Sequence, residues 1–169
     1  MTSVTREHMF GSMLAADLER TMAIGTTARV APWLMVLFAL VGIADAFYDS
    51  FAILHSQRLW CPPPFNGCNI VAMSPYARVL GIPLGHLGVV YFAFMLMLSA
   101  LLAYDPLSRG LRLGTVLYAA AGVLASLVLV YIEFTYIHAF SIYDLMSALL
   151  TVLLFITAAS HSGAARISG

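Results

Sequence analysis

The sequence predicts an all-α membrane protein: a four-transmembrane-helix bundle with a short outer-surface helix in the first loop. Three observations carry that reading. Soluble domains hold about 25% charged residues, whereas this chain of 169 residues is 9% charged and 62% hydrophobic, with a mean hydropathy of +0.92. Its apolar residues fall in long runs, and a spanning helix needs about 20 of them. Finally, one polar stretch between the first two runs is long enough to fold by itself, and it holds both cysteines of the chain.

Four segments meet the length requirement, over residues 30–54, 82–104, 113–137 and 141–160. The last two are separated by a tight turn near His138–Ser141, because a single apolar helix of their combined length exceeds any bilayer. Residues 1–29 form a lead-in, with helical character expected around Met13–Met22, and residues 161–169 form a tail. The membrane domain is then 30–160, with the loop at 55–81 on one side. Glu7, Asp17 and Glu19 interrupt the N-terminal region, which does not read as a cleavable signal peptide.

An even number of crossings puts both termini on one face. Every basic side chain is an arginine. Arg6, Arg20, Arg29, Arg109, Arg112 and Arg166 fall with the termini and the 105–112 loop, and only Arg58 and Arg78 fall opposite. Cytoplasmic loops carry the excess of positive charge, so the termini are expected to be cytoplasmic and the 55–81 loop to face outward. A net charge of zero and the lack of a basic tract argue against nucleic acid as a partner.

The outward loop contains Cys61-Pro62-Pro63-Pro64-Phe65-Asn66-Gly67-Cys68. The proline run is stiff and extended, and Asn66-Gly67 is a turn signal, so the two thiols can meet. Two readings stay open: a structural staple worth about 2–3 kcal/mol, or a redox pair. Further on, Ser74-Pro75 looks like a helix start, serine at the cap and proline in the first turn. Gly81 and Pro83 look like a break before the second span.

Ionisable residues inside spans are costly and usually face an interior or a site. Asp45 and Asp49 share a face of the first helix, and Glu133, His138 and Asp144 cluster around the turn between the third and fourth. His86 opens the second span. All belong to the outer half of the bilayer. Asp49 and His86 are read as lying at the water interface, and Asp45, Glu133 and Asp144 as lining an internal pocket. Tyr48, Tyr91, Phe134 and Tyr143 are among the aromatic residues at the same end, and an aromatic cavity with a few polar groups suits a quinone headgroup. A metal site from Asp45, Glu133, His138 and Asp144 has suitable ligand types but no dense ligand motif, and no metal is expected.

Cys68-Asn69-Ile70-Val71, then Ser74-Pro75-Tyr76, then Gly81-Ile82-Pro83-Leu84-Gly85-His86-Leu87-Gly88 resembles the vitamin K epoxide reductase family, in its bacterial form. Gly42 through Tyr48 resembles the first-helix signature, and Tyr131 through Ala148 the junction of the third and fourth helices. The resemblance covers about residues 30–160 and is most specific from Cys68 to Gly88. It implies a four-helix bundle around a quinone pocket in a bacterial inner membrane, the outer loop being periplasmic. It also implies oxidation of a periplasmic thioredoxin-like partner, with ubiquinone or menaquinone as electron acceptor.

On this resemblance Cys61 and Cys68 are the loop pair and Ser74 the serine that follows it. Asp45, Tyr48, Tyr91, Glu133, Phe134, His138 and Tyr143 are the pocket candidates. One departure stands out. Where the family carries a Cys-x-x-Cys at the start of the fourth helix, this chain has Ser141 and Asp144. Serine forms no reversible bond to sulfur, and aspartate is not redox-active. Two functions follow: a divergent thiol–disulfide oxidoreductase working through Cys61–Cys68, or a non-catalytic member of the fold. The second would bind quinone or another lipid, or serve as a subunit of a larger membrane complex, its disulfide purely structural.

Overall fold

The computed structural model describes residues 30–55, 57–63, 67–106 and 108–167. The expected lead-in over 1–29, and Pro64 to Asn66 of the loop, lie outside these residues. Four helices are long and apolar enough to cross a membrane: Val30–Leu54, Leu84–Tyr104, Arg109–Ile137 and Ile142–Gly163. The first of them is α1. Their outward faces are rich in large apolar side chains, including Trp33, Leu37, Leu117, Leu124 and Leu127. That is the reverse of a soluble bundle and suits contact with lipid tails. The chain is a multi-pass helical membrane protein.

Small residues let the helices approach. Ala39 and Ala46 of α1 and Ala119 of the third span are buried beside Met35, Phe92, Met95 and Leu154. Between helices in lipid, close van der Waals packing supplies the association that the hydrophobic effect supplies in water.

The outer loop holds the expected short helix, but ahead of the Ser74-Pro75 start signal. Its helix, α2 (Cys68–Met73), begins at the second cysteine and ends before Ser74-Pro75. Ser74 is extended, at φ −70° and ψ 155°, because the proline ring that follows disfavours the helical region. Pro75–Ala77 then make one 3-10 turn, and the Ser74 side chain does not cap it. A two-stranded antiparallel hairpin follows, β1 (Arg78–Val79) with β2 (Ile82–Pro83), Arg78 opposite Pro83. Leu80 and Gly81 turn it with φ of 53° and 85°, the pair of positive angles that a tight two-residue hairpin requires.

α3 (Leu84–Tyr104) starts directly from β2. α4 (Arg109–Ile132) widens at its end into a π-type turn over Glu133–Ile137. His138 sits in the left-handed region, at φ 54°, and reverses the chain into α5 (Ile142–Ile167). α5 continues past the expected end at residue 160, and His161, assigned to the tail from sequence, is fully buried in the bundle.

Candidate functional site

Cys61 and Cys68 form a disulfide, their Cα atoms 6.2 Å apart. Cys68 is fully buried and Cys61 partly so, and both pack with Ala52, Leu59, Ile142 and Tyr143. Asn69 fixes this arrangement. Its Oδ1 accepts from the Leu59 amide at 2.9 Å, and its Nδ2 donates to the Leu59 carbonyl at 3.2 Å. The first turn of α2 is thereby stitched to the segment that leads into Cys61. Nothing in the sequence reading singled out Asn69, although its place directly after a cysteine at a helix start was the available signal. Gly67 seats the loop on the bundle, since a Cβ there would lie 2.7 Å from the backbone of Phe140.

A cavity of about 530 Å³ is walled by α1, the hairpin, α3, α4 and α5. Its lining is mainly apolar, with Asp45, Asp49, Tyr91, Tyr143, Asp144 and Ser147 as polar points. Ser147 Oγ donates to Asp45 Oδ2 at 2.9 Å, tying α5 to α1. Tyr91 turns its hydroxyl towards Gly122, where any larger residue would collide with it. That hydroxyl is buried and has no hydrogen-bond partner. Tyr143 joins the two features: its ring lines the cavity and packs on the cysteine cluster, and its hydroxyl donates to the Trp60 carbonyl at 2.8 Å.

Behind Asp144 is a cleft of about 10 Å³, lined by Ser74, Tyr76, Leu84, Leu129, Glu133 and Asp144 among others. Glu133 is only 2% exposed. Glu133 and Asp144 line this cleft together. The amide of buried Ser141 donates to Glu133 Oε2, at 3.4 Å. Ser74 Oγ is buried in the cleft without a partner.

The pocket candidates therefore separate. Asp45, Tyr91 and Tyr143 line the main cavity, and Glu133 stands one residue behind it. Tyr48 does not line it but packs on Tyr143, the ring centroids 5.4 Å apart. Phe134 and His138 lie apart, in a recess with Thr135 and Phe140. Phe134 is 68% exposed while its neighbour Glu133 is buried, the two adjacent residues facing different sides of the turn. The two residues read as interfacial both make contacts within the bundle. Asp49 is a wall of the cavity, because α3 approaches so closely that a Cβ on Gly85 would lie 2.9 Å from Asp49 Oδ2. His86 bridges helices, its Nδ1 hydrogen-bonded to Ser50 Oγ at 2.6 Å. Among the described residues, no group of three or more His, Cys, Asp or Glu is placed to hold a metal ion.

The four spans thus hold a mainly apolar cavity that shares Tyr143 with the disulfide cluster. The model of the vitamin K epoxide reductase family matches residues 33–159, from the first turns of α1 to near the end of α5. The chain belongs to the vitamin K epoxide reductase family. Membership makes a membrane redox protein the natural reading, and proteins of the family generally use quinones. No curated protein matches the chain. The residues present fit a quinone: the cavity is roomy and mostly apolar, and Tyr91 holds an unpartnered hydroxyl at its wall. A quinone carbonyl is an acceptor suited to that donor.

Proposed function

We propose that this protein is a divergent thiol–disulfide oxidoreductase of the membrane, with Cys61–Cys68 as its redox pair and a quinone as electron acceptor. One observation carries the reading: the disulfide and the cavity share a wall, Tyr143. A partner thiolate attacks the more accessible sulfur, Cys61, and displaces Cys68 as the leaving thiolate. A second partner thiol completes the exchange, leaving the partner oxidised and Cys61 and Cys68 reduced. The bound quinone supplies a two-electron acceptor. Tyr91 and the polar wall hold and orient it, and the apolar lining keeps water away. The partner is a thioredoxin-like protein of the periplasm, which places this chain in a bacterial inner membrane with both termini cytoplasmic.

The deciding assay is quinone-dependent oxidation of a reduced dithiol by the purified full chain, with ubiquinone and menaquinone analogues. The expected result is catalytic oxidation with at least one of them. If neither supports it and the disulfide resists reduction by the dithiol, the second reading takes over. That reading is a non-catalytic member of the family, binding quinone or lipid, or part of a larger membrane complex. What favours it is that no cysteine lines the cavity.

Orientation is tested separately. A membrane-impermeant thiol reagent should label a cysteine placed at Arg58 in intact cells and not one placed at Arg109. Cys61 and Cys68 stay bonded and silent in this experiment. The opposite labelling pattern overturns the periplasmic loop, and with it the supply of oxidisable partners.

A further inference from the structure

We infer that Asp144 is the proton donor to the quinone, reloaded through Glu133 from the outer surface at Ser74; this rests on the oxidoreductase reading above. The juxtaposition is specific. Asp144 lines both the main cavity and the small cleft behind it. Glu133, buried within the protein, lines that same cleft beside Asp144. The cleft has room for about one water, and Ser74 Oγ lies buried within it, unpartnered. Ser74 itself belongs to the outer loop, between α2 and the 3-10 turn. A hydroxyl, a water-sized gap and two carboxyls thus run from the loop to the cavity wall.

The chemistry needs such a route. Reduced Cys61 and Cys68 give two electrons and close their S–S bond, and two S–H bonds break. Their protons leave to water at the loop. The quinone takes the two electrons and needs a proton at each of its two oxygens to become quinol. Asp144 delivers one proton, is reprotonated by Glu133 and delivers a second, and two protons then enter through the cleft, one restoring Glu133 and one passing on through it to Asp144. Protons enter and leave on the same face, so atoms and charge balance. A thiol at position 144 would carry electrons; a carboxyl carries only protons, and this chain has a carboxyl.

The test uses the full chain in lipid nanodiscs with a short-tail ubiquinone analogue, and it has two readouts. Infrared difference spectra on quinone binding to the oxidised protein should show a perturbed protonated-carboxyl band. D144N should lose that band and D144E should keep it. In turnover, D144N should slow quinone reduction about 100-fold, the typical scale for losing a general acid, with quinone affinity unchanged and D144E largely active. E133Q should keep the band and still turn over more slowly. A wild-type spectrum without any quinone signal overturns the quinone reading itself, and the proton route with it. A wild-type band that survives in D144N, or a D144N rate equal to wild type, overturns the route alone. If D144N does not fold, E133Q decides, and an unchanged E133Q rate overturns the relay.

Discussion

Cys61→Ser should abolish dithiol oxidation, and Cys68→Ser should abolish turnover while trapping the partner as a mixed disulfide on Cys61. The difference comes from burial. Cys68 is enclosed by Ala52, Leu59 and Tyr143, whereas Cys61 keeps part of its surface. With Cys68 removed, the mixed disulfide at Cys61 has no resolving thiol beside it and persists. Each variant should fall by more than about 100-fold, because the two sulfurs act as one unit and neither alone supports the exchange. Both should also lose the same stability, about 2–3 kcal/mol for opening a short loop. A purely structural disulfide predicts only that equal loss. Non-reducing electrophoresis of Cys68→Ser with a thioredoxin-like partner separates the two: no trapped species means that no partner thiol attacks this loop.

The spans were legible because each is set by a local property, the length of an apolar run, and the turn at His138–Ser141 because one helix of more than 40 residues exceeds any bilayer. The pair Asp45 and Asp49 was legible as one helical face, and both do line the cavity. What sequence could not give was depth. Asp49 lies near a span's end and reads as interfacial; only the close approach of α3 at Gly85 encloses it. The π-type turn was equally hidden. Glu133 and Phe134 are adjacent in sequence and so point to different sides of the helix, Glu133 into the cleft and Phe134 into the outer recess, and the sequence alone did not show which side carries the pocket. In the loop, Ser74-Pro75 is a start signal in general, yet here the same proline terminates α2, since the helix before it is nucleated at Cys68 by the loop's closure.

The largest gain of activity is expected from the double substitution Ser141→Cys with Asp144→Cys. Ser141 immediately precedes α5 and Asp144 lies in its first turn, and positions three apart there share one face. Ser141 is buried beside Glu133, and Asp144 lines the cavity. The neighbouring residues Ile142 and Tyr143 already touch the Cys61–Cys68 cluster. Four thiols would then stand in one region, and the loop pair could pass its electrons inward by thiol–disulfide exchange. A cysteine pair there brings the electrons to the cavity wall on a fixed group. A rise in quinone-linked dithiol oxidation on the order of tenfold or more is expected from that positioning. The comparison with D144N is what gives the experiment its force, because both variants remove the same carboxyl. Asparagine supplies neither a proton nor an electron, whereas a cysteine pair brings two of each and leaves Glu133 in place behind it. If the double variant forms its new disulfide and yet reduces quinone no faster than wild type, delivery of electrons across the wall is not what limits this protein. A wild type that already turns over as fast shows that the loop pair alone suffices, whereas the absence of quinone reduction in both proteins leaves the non-catalytic reading standing.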